Sequence, residues 1–204
     1  MGAQVLTSAE PGSGYVLAHL RTETRKAHLA LEGSLDLLSE HLDLATYRGV
    51  LSKFYGFWKC WEPQMSGLVK DEILLNPRRR FHLLAADLLA LGLLQADLDA
   101  LPECPPARLD DEAEAIGSLY VMEGSTLGGQ LIRRNVERCL GGSDQTSCLY
   151  FSGYGTQTGR MWRAFLEMLD RVPSADAERV SRGASATFEH LGWWMTQPEA
   201  AQIR

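Results

Sequence analysis

Long apolar runs are missing from this chain. None approaches the roughly 18–20 residues that a bilayer-crossing helix needs, so no membrane partner is expected. The opening Met-Gly-Ala-Gln-Val-Leu-Thr-Ser also lacks the basic stretch and apolar core of a secretion signal, and a cytoplasmic protein is expected. Positive charge is in deficit: 20 Lys and Arg against 26 Asp and Glu leave a net charge of −6. That balance argues against the broad phosphate-binding surface of a nucleic-acid protein. Cysteine is sparse. Cys60, Cys104, Cys139 and Cys148 form no C-x-x-C pair and have no close histidine spacing, which argues against a zinc site and for reduced thiols. No segment alternates apolar and polar residues with β-branched enrichment, so no strand is expected. No glycine fingerprint of the G-x-G-x-x-G kind follows a strand, which leaves no flavin or nicotinamide site. Repeats and low-complexity segments are absent as well.

What is present is helix-forming composition over one domain's length. The 204 residues can bury most of their apolar surface in a single core. Residues 1–13, with Pro11, Gly12 and Ser13, read as a flexible leader, and residues 14–204 as one all-α domain. From Tyr15 to Leu31, Val16, Leu17, Leu20, Ala27 and Leu31 recur at helical intervals, with Gly33 and Ser34 as a stop. A short helix is expected over Ser34–His41. A long one follows from Tyr47 to about Val69, capped by Thr46, kinked at Pro63 and carrying Tyr47, Phe54, Tyr55, Phe57, Trp58 and Trp61 as a core face. Further helices are expected over Arg78–Leu91, from Asp110–Glu112 to about Cys139, over Thr158–Arg171 and over Ala175–Met195. Acidic residues at the start of the second long helix suit the dipole there. Residues 92–109 read as a connection with one helical turn, and Gly142–Gly155, rich in Gly, Ser and Thr, as a surface loop. The expectation is a compact, irregular bundle of roughly seven or eight helices.

The least helix-like residues lie within that second long helix. The stretch from Gly117 to Arg134 holds Gly117, Gly124, Gly128 and Gly129. A helical glycine costs about 0.5–1 kcal/mol relative to alanine, so the last three together cost roughly 2–3 kcal/mol without local compensation. Either the backbone bends here or something approaches so closely that a Cβ would collide. Gly124 and Gly128 are four apart and share a face. Gly129 widens the bare strip, and Ser125, Thr126 and Gln130 set small polar groups beside it. A flat ligand fits against such a face, but tight helix–helix packing, or a loop between two helices, fits the same residues. The glycines alone leave these uses open.

Of the five histidines, His28 stands four residues before Glu32, on the same helical face. A metal-bound imidazole commonly gives its second ring proton to a carboxylate, carbonyl or water. A histidine bonded to a carboxylate on a solvated face produces the same pattern. Taken together, Arg21-Thr-Glu-Thr-Arg-Lys-Ala-His28-Leu-Ala-Leu-Glu32 and Tyr120-Val-Met-Glu-Gly-Ser-Thr-Leu-Gly-Gly-Gln130 make a combination that resembles the haem oxygenases. The first looks like that family's proximal helix and the second like its distal helix. Thr187-Phe-Glu-His-Leu-Gly-Trp193 adds support, and the wording is closest to the bacterial branch, including enzymes paired with bacteriophytochromes.

The resemblance implies a multi-helix bundle with haem between a proximal helix and a kinked distal one. His28 would be the axial ligand of the iron, oriented by Glu32. Gly124, Gly128 and Gly129 would bring bare backbone over the opposite face of the ring, with Gly124 and Gly128 touching it. Arg21, two turns before His28, and Tyr120 would hold propionates, and Arg160 and Arg163 are further candidates. Where many mammalian-type members carry an aspartate after the first distal glycine, this chain has Ser125. Ordered water held by Ser125, Gln130 or Asn135 would then supply protons. The implied activity is oxidative opening of haem by O2 to biliverdin, carbon monoxide and ferrous iron. Electrons would come from an external ferredoxin or flavoprotein reductase, and biliverdin would pass to a bacteriophytochrome or the reaction would release iron. A haem-binding or haem-sensing protein without turnover, and a helical interaction protein whose glycines merely pack, are the alternatives.

Overall fold

The computed structural model describes residues 14–141 and 147–198, without the side chains of Glu32 and Ser34. The expected leader, residues 1–13, therefore lies outside the described residues. Among those described, every regular element is helical. They are α1 (Tyr15–Ser34), α2 (Leu44–Leu68), α3 (Glu72–Leu75), α4 (Phe81–Ala90), α5 (Gln95–Asp99), α6 (Glu112–Leu140), α7 (Leu149–Ser152), α8 (Thr158–Leu169) and α9 (Ala177–Thr196), with single 3-10 turns at Asn76–Arg78, Gly155–Gln157 and Ser174–Asp176. No described helix is long and apolar enough to cross a membrane.

Short aspartates set the starts of the two longest helices. Asp43 accepts from the Thr46 amide at 2.7 Å, so α2 begins ahead of the expected Thr46 cap. Asp111 accepts from the Glu114 amide at 3.0 Å and opens α6. Each satisfies one of the first-turn amides that a helix cannot pair internally. Pro63 lies inside α2, which nevertheless runs on to Leu68, and α6 passes through all four of its glycines as one helix.

Three expectations need correction. Residues 35–43 are turns and not a short helix. Asp36 sits in the left-handed region at φ 45°, and the carbonyls of Leu37 and Ser39 accept from Asn135 Nδ2 on α6 at 3.0 and 2.8 Å. The helix expected from Arg78 begins only at Phe81, because Arg80 leaves helical geometry and Glu62 of α2 caps α4 by accepting from the Arg80 and Phe81 amides at 2.6 and 2.8 Å. The segment expected as a surface loop contains α7, whose Tyr150 and Phe151 are buried in the core. Asp87 of α4, wholly buried, accepts from Ser147 Oγ at 2.5 Å and from the Leu149 and Tyr150 amides at 2.8 and 2.9 Å. A charged acceptor at a helix start is a strong anchor, and it holds the α7 aromatics inward. Gly142 to Gln145 and Thr146 of that segment lie outside the described residues.

The aromatic face of α2 is core, as its spacing suggests, with Tyr47, Phe54, Tyr55, Phe57, Trp58 and Trp61 all buried. Trp61 Nε1 donates to Ser118 Oγ of α6 at 2.8 Å and ties the two longest helices together. α9 packs against both α1 and α6. Its crossing with α6 is backbone on backbone: a Cβ added to Gly117 would lie 1.8 Å from the Val180 carbonyl oxygen, and one on Gly183 2.0 Å from that of Glu114. Lys53 Nζ of α2 donates to the Met195 carbonyl at 2.6 Å and to that of Gln197, satisfying the end of α9. α1 and α6 thus both rest on α9, and the space between them stays open.

Candidate functional site

That space is a cavity of about 420 Å³, within the range of small-molecule sites. α1 contributes Arg21, His28 and Leu31. α6 contributes Tyr120, Gly124, Ser125, Gly128 and Gly129, α8 Trp162, and α9 Phe188 and Leu191. Phe54 of α2, Arg80, and Tyr150 and Phe151 of α7 complete the wall behind α6. Two segments some ninety residues apart in sequence therefore meet in one cavity, because each leans on α9.

The glycines divide between two uses. A Cβ on Gly128 would meet nothing within 4 Å, and one on Gly124 only Trp162 at 3.9 Å. Both present bare helix to open cavity. Gly129 also lines the cavity, but its Cβ would lie 2.3 Å from the Phe151 carbonyl oxygen, so α7 packs directly on α6 there. Gly117 has the packing use with α9 described above. Close helix packing and a bare face on the cavity thus occur on one helix at different glycines.

His28 is exposed at the rim, its ring edge-on to Phe188 with centroids 5.6 Å apart. Arg21 lies two turns earlier on the same helix and is exposed, so its charge is available at the mouth. Across the rim, Tyr120 is half-buried, with its ring 5.8 Å from that of Trp162. Burial raises its phenol above the ordinary range, and the neighbouring Arg21 guanidinium draws it back down. A cation and a phenol at one edge suit carboxylate groups of a bound molecule.

Other candidates are placed differently. Arg160 and Arg163 are exposed on α8 and do not line the cavity; Arg160 donates to Gln157 Oε1 at 2.8 Å. Glu32 lies on α1, and its side chain is outside the described residues. Ser125 lines the cavity with its hydroxyl turned back to the Met122 carbonyl at 2.8 Å. Gln130 points to the Ser152 carbonyl at 3.4 Å. Asn135 is fully engaged in holding residues 37–39 and accepting from Arg138.

Behind the glycine face lies a buried polar cluster. Glu123, 2% exposed, accepts from Tyr154 Oη and forms an ion pair with Arg78, Nε to Oε2 at 3.3 Å. Burial raises its carboxyl above the usual range, against the opposing pull of the Tyr154 hydroxyl, Arg78 and Arg80. Arg80 is 3% exposed. Sequence reasoning missed Arg80 because Arg78-Arg79-Arg80 looks like any solvated basic run, and it missed Tyr150 and Phe151 because glycine and serine surround them. A signal was available in the second case: adjacent large aromatics are unusual in a solvated loop.

The described residues fit haem on three grounds: an imidazole at the rim, a bare helical face bordering the same cavity, and an apolar interior with cationic and phenolic groups at one edge. Comparison with known proteins points the same way. The family model described as Heme oxygenase matches residues 15–197. A protein named Heme oxygenase from Xanthomonas campestris pv. campestris (strain 8004) is 32% identical over 155 residues, covering 74% of this chain and 89% of that protein. The structure of heme oxygenase from Leptospira interrogans superposes with a TM-score of 0.69 at 18% identity, covering 89% of this chain and 98% of that one. The crystal structure of heme oxygenase-1 from the cyanobacterium Synechocystis sp. PCC6803 in complex with heme superposes with a TM-score of 0.67 at 16% identity, covering 89% and 90%. At these identities the two structures speak for the fold, whereas the family model spans nearly all of the described chain. By that match and by the fold, the chain belongs to the haem oxygenase family.

Proposed function

We propose that the protein is a haem oxygenase in activity as well as in family, binding haem as both prosthetic group and substrate. The observation that carries this reading is the meeting of His28 with the bare face at Gly124 and Gly128 in one cavity. His28 would ligate the iron, with Glu32, four positions on, as its orienting partner. Arg21 and Tyr120 would hold the propionates at the mouth. Gly124 and Gly128, which carry no side chain into the cavity, would allow α6 to approach the ring and keep bulk water from it. Bound haem supplies the redox chemistry by which O2 and externally delivered electrons yield biliverdin, carbon monoxide and ferrous iron. The chain's own part is to bind, orient and enclose, a division of labour usual for cofactor chemistry. A ferredoxin or a flavoprotein reductase is the class of donor required, and a bacteriophytochrome is one acceptor for the biliverdin.

Titration with haemin tests this directly. A stoichiometric complex with a sharp Soret band is expected, and a reductant under oxygen should convert it to biliverdin. In His28→Ala the ligation spectrum and turnover should disappear while the helical signal persists, since the exposed His28 side chain is not part of the core. Binding without any degradation would reduce the protein to a haem carrier or sensor. No Soret band would overturn the reading altogether.

A further inference from the structure

We infer that Phe188 is a positioning residue for His28: the α9 ring sets the plane in which the imidazole meets the cavity. The inference rests on the haem reading above. Leu20, Thr24 and His28 share one face of α1 at intervals of four. Leu20 and Thr24 are buried, whereas His28 is exposed. α1 packs on α9 and is pinned there by the 2.8 Å hydrogen bond between His19 Nδ1 and Ser181 Oγ; beyond Thr24 its face opens onto the cavity, which His28 and Leu31 line. A histidine ring turns about a broad, roughly two-fold torsion, so the helix backbone alone does not set its plane. Phe188 supplies a wall. Its ring stands at 83° to that of His28 with centroids 5.6 Å apart, the edge-to-face arrangement that aromatic pairs favour, and turning the imidazole toward the Phe188 plane would lose it.

Phe188 is itself held firmly. It is 6% exposed and lines the cavity beside His28. Its neighbour Thr187 is wholly buried, donates to the Gly183 carbonyl at 2.8 Å and shares a 2.8 Å hydrogen bond with Ser118 Oγ of α6. Ser118 Oγ in turn accepts from Trp61 Nε1 of α2, and Gly183 lies against the Glu114 backbone with no room for a Cβ. α9 is thereby fixed to α6 next to Phe188. The plane of an imidazole on α1 is thus referred, through one ring, to the helix that carries the glycine face. Leucine at 188 would keep apolar bulk in the wall but present no ring, which separates orientation from mere lining.

The test compares the unmodified protein with Phe188→Leu and Phe188→Tyr, each with a thermal melt. Without haemin, proton NMR should show nuclear Overhauser contacts between the His28 and Phe188 rings, and the His28 ring resonances should shift in Phe188→Leu, which lacks the ring current. With haemin and cyanide, the spread of the haem methyl resonances reports the plane of the axial imidazole. That spread should change in Phe188→Leu and return toward the wild-type pattern in Phe188→Tyr, which keeps the ring. Haemin affinity should fall by about two- to tenfold in Phe188→Leu, the scale of one aromatic pair. A wild-type methyl pattern in Phe188→Leu, whatever its affinity, would overturn the inference, because Phe188 would then line the cavity and no more. A pattern displaced as far in Phe188→Tyr as in Phe188→Leu would do the same. Where the leucine variant fails to fold, absence of contacts between the two rings in the unmodified protein is the refuting result. Failure of the unmodified protein to give a Soret band is a separate outcome, seen before any variant is made; it removes the haem reading and leaves the ring contacts of the haemin-free protein standing.

Discussion

Gly128 and Gly129 are adjacent in sequence, and the same one-carbon change should act on them in opposite directions. In Gly128→Ala the new Cβ meets nothing within 4 Å, so the protein without haemin should show only the ordinary gain of alanine over glycine in a helix. That gain is about 0.5–1 kcal/mol, or roughly 1–4 °C in Tm for a chain of this size. In Gly129→Ala the Cβ would stand 2.3 Å from the Phe151 carbonyl oxygen. Both partners are backbone, so α7 must move off α6, at an overpacking cost of about 1–3 kcal/mol that exceeds the propensity gain. A net loss of about 1–2 kcal/mol, roughly 2–8 °C in Tm, is expected. Once haemin is added the order of interest reverses. On the proposed reading the methyl of Gly128→Ala would then project toward the ring, so haem degradation should drop although the fold has been stabilised. Paired melts without haemin and single-turnover degradation assays with it provide the four measurements. Equal melting shifts in the two variants would refute the packing assignment. A Gly128→Ala protein that binds haemin tightly and degrades it at the wild-type rate would refute the close-approach reading.

Arg21→Glu should weaken haemin binding and change the distribution of biliverdin isomers, because it reverses the charge at the cavity mouth; chromatography of the products reads the second effect. Asp87→Ala should destabilise the fold by about 2–4 kcal/mol, since three donors at the start of α7 lose a buried charged acceptor, and denaturant unfolding measures it. Asp111→Ala removes the α6 cap and should cost about 1 kcal/mol at neutral pH. The Asp111 carboxyl is held below its usual range, first by the Glu114 amide and then by Arg179. Its stabilisation is therefore present above the unfolded value near 3.9 and lost as pH falls through the lower folded value. The melting difference between Asp111→Ala and wild type should accordingly be full at pH 6 and shrink below about pH 4; a difference that stays constant would refute the cap's role.

Much of the fold was legible because helical periodicity is a local signal. α1, α2, α6, α8 and α9 follow from apolar spacing with ends displaced by a few residues. What was not legible depends on contacts distant in sequence. Tyr150 and Phe151 are drawn into the core by Asp87 on another helix, and no local pattern around them encodes that. Residues 35–43 could equally have formed a helix until Asn135, some hundred residues away, took their carbonyls. At the site, His28 and the glycines stood out by their spacing, and the family resemblance added Arg21 and Tyr120. Arg80 was not legible, since which arginines of a run of three are buried, here Arg78 and Arg80, is decided by contacts with Glu123, Trp58 and Met122 on other helices.

The reciprocal glycine crossing of α6 and α9 has a mechanical consequence. Gly117 clamps α6 against Val180, and Gly129 clamps it against Phe151. These two points are twelve residues, about 18 Å, apart, and Gly124 and Gly128 lie in the span between them. The helix is therefore a beam held at two separated points and not a lever free to turn about one. Room for a larger guest, or for a product leaving, cannot be made by tilting α6 about a single fulcrum without lifting one of its clamps. Bowing of the span between the clamps is resisted too, because Tyr154 and Arg78 hold Glu123 and Arg80 holds the Met122 carbonyl, which leaves the opposite side to supply that room, by movement of α1.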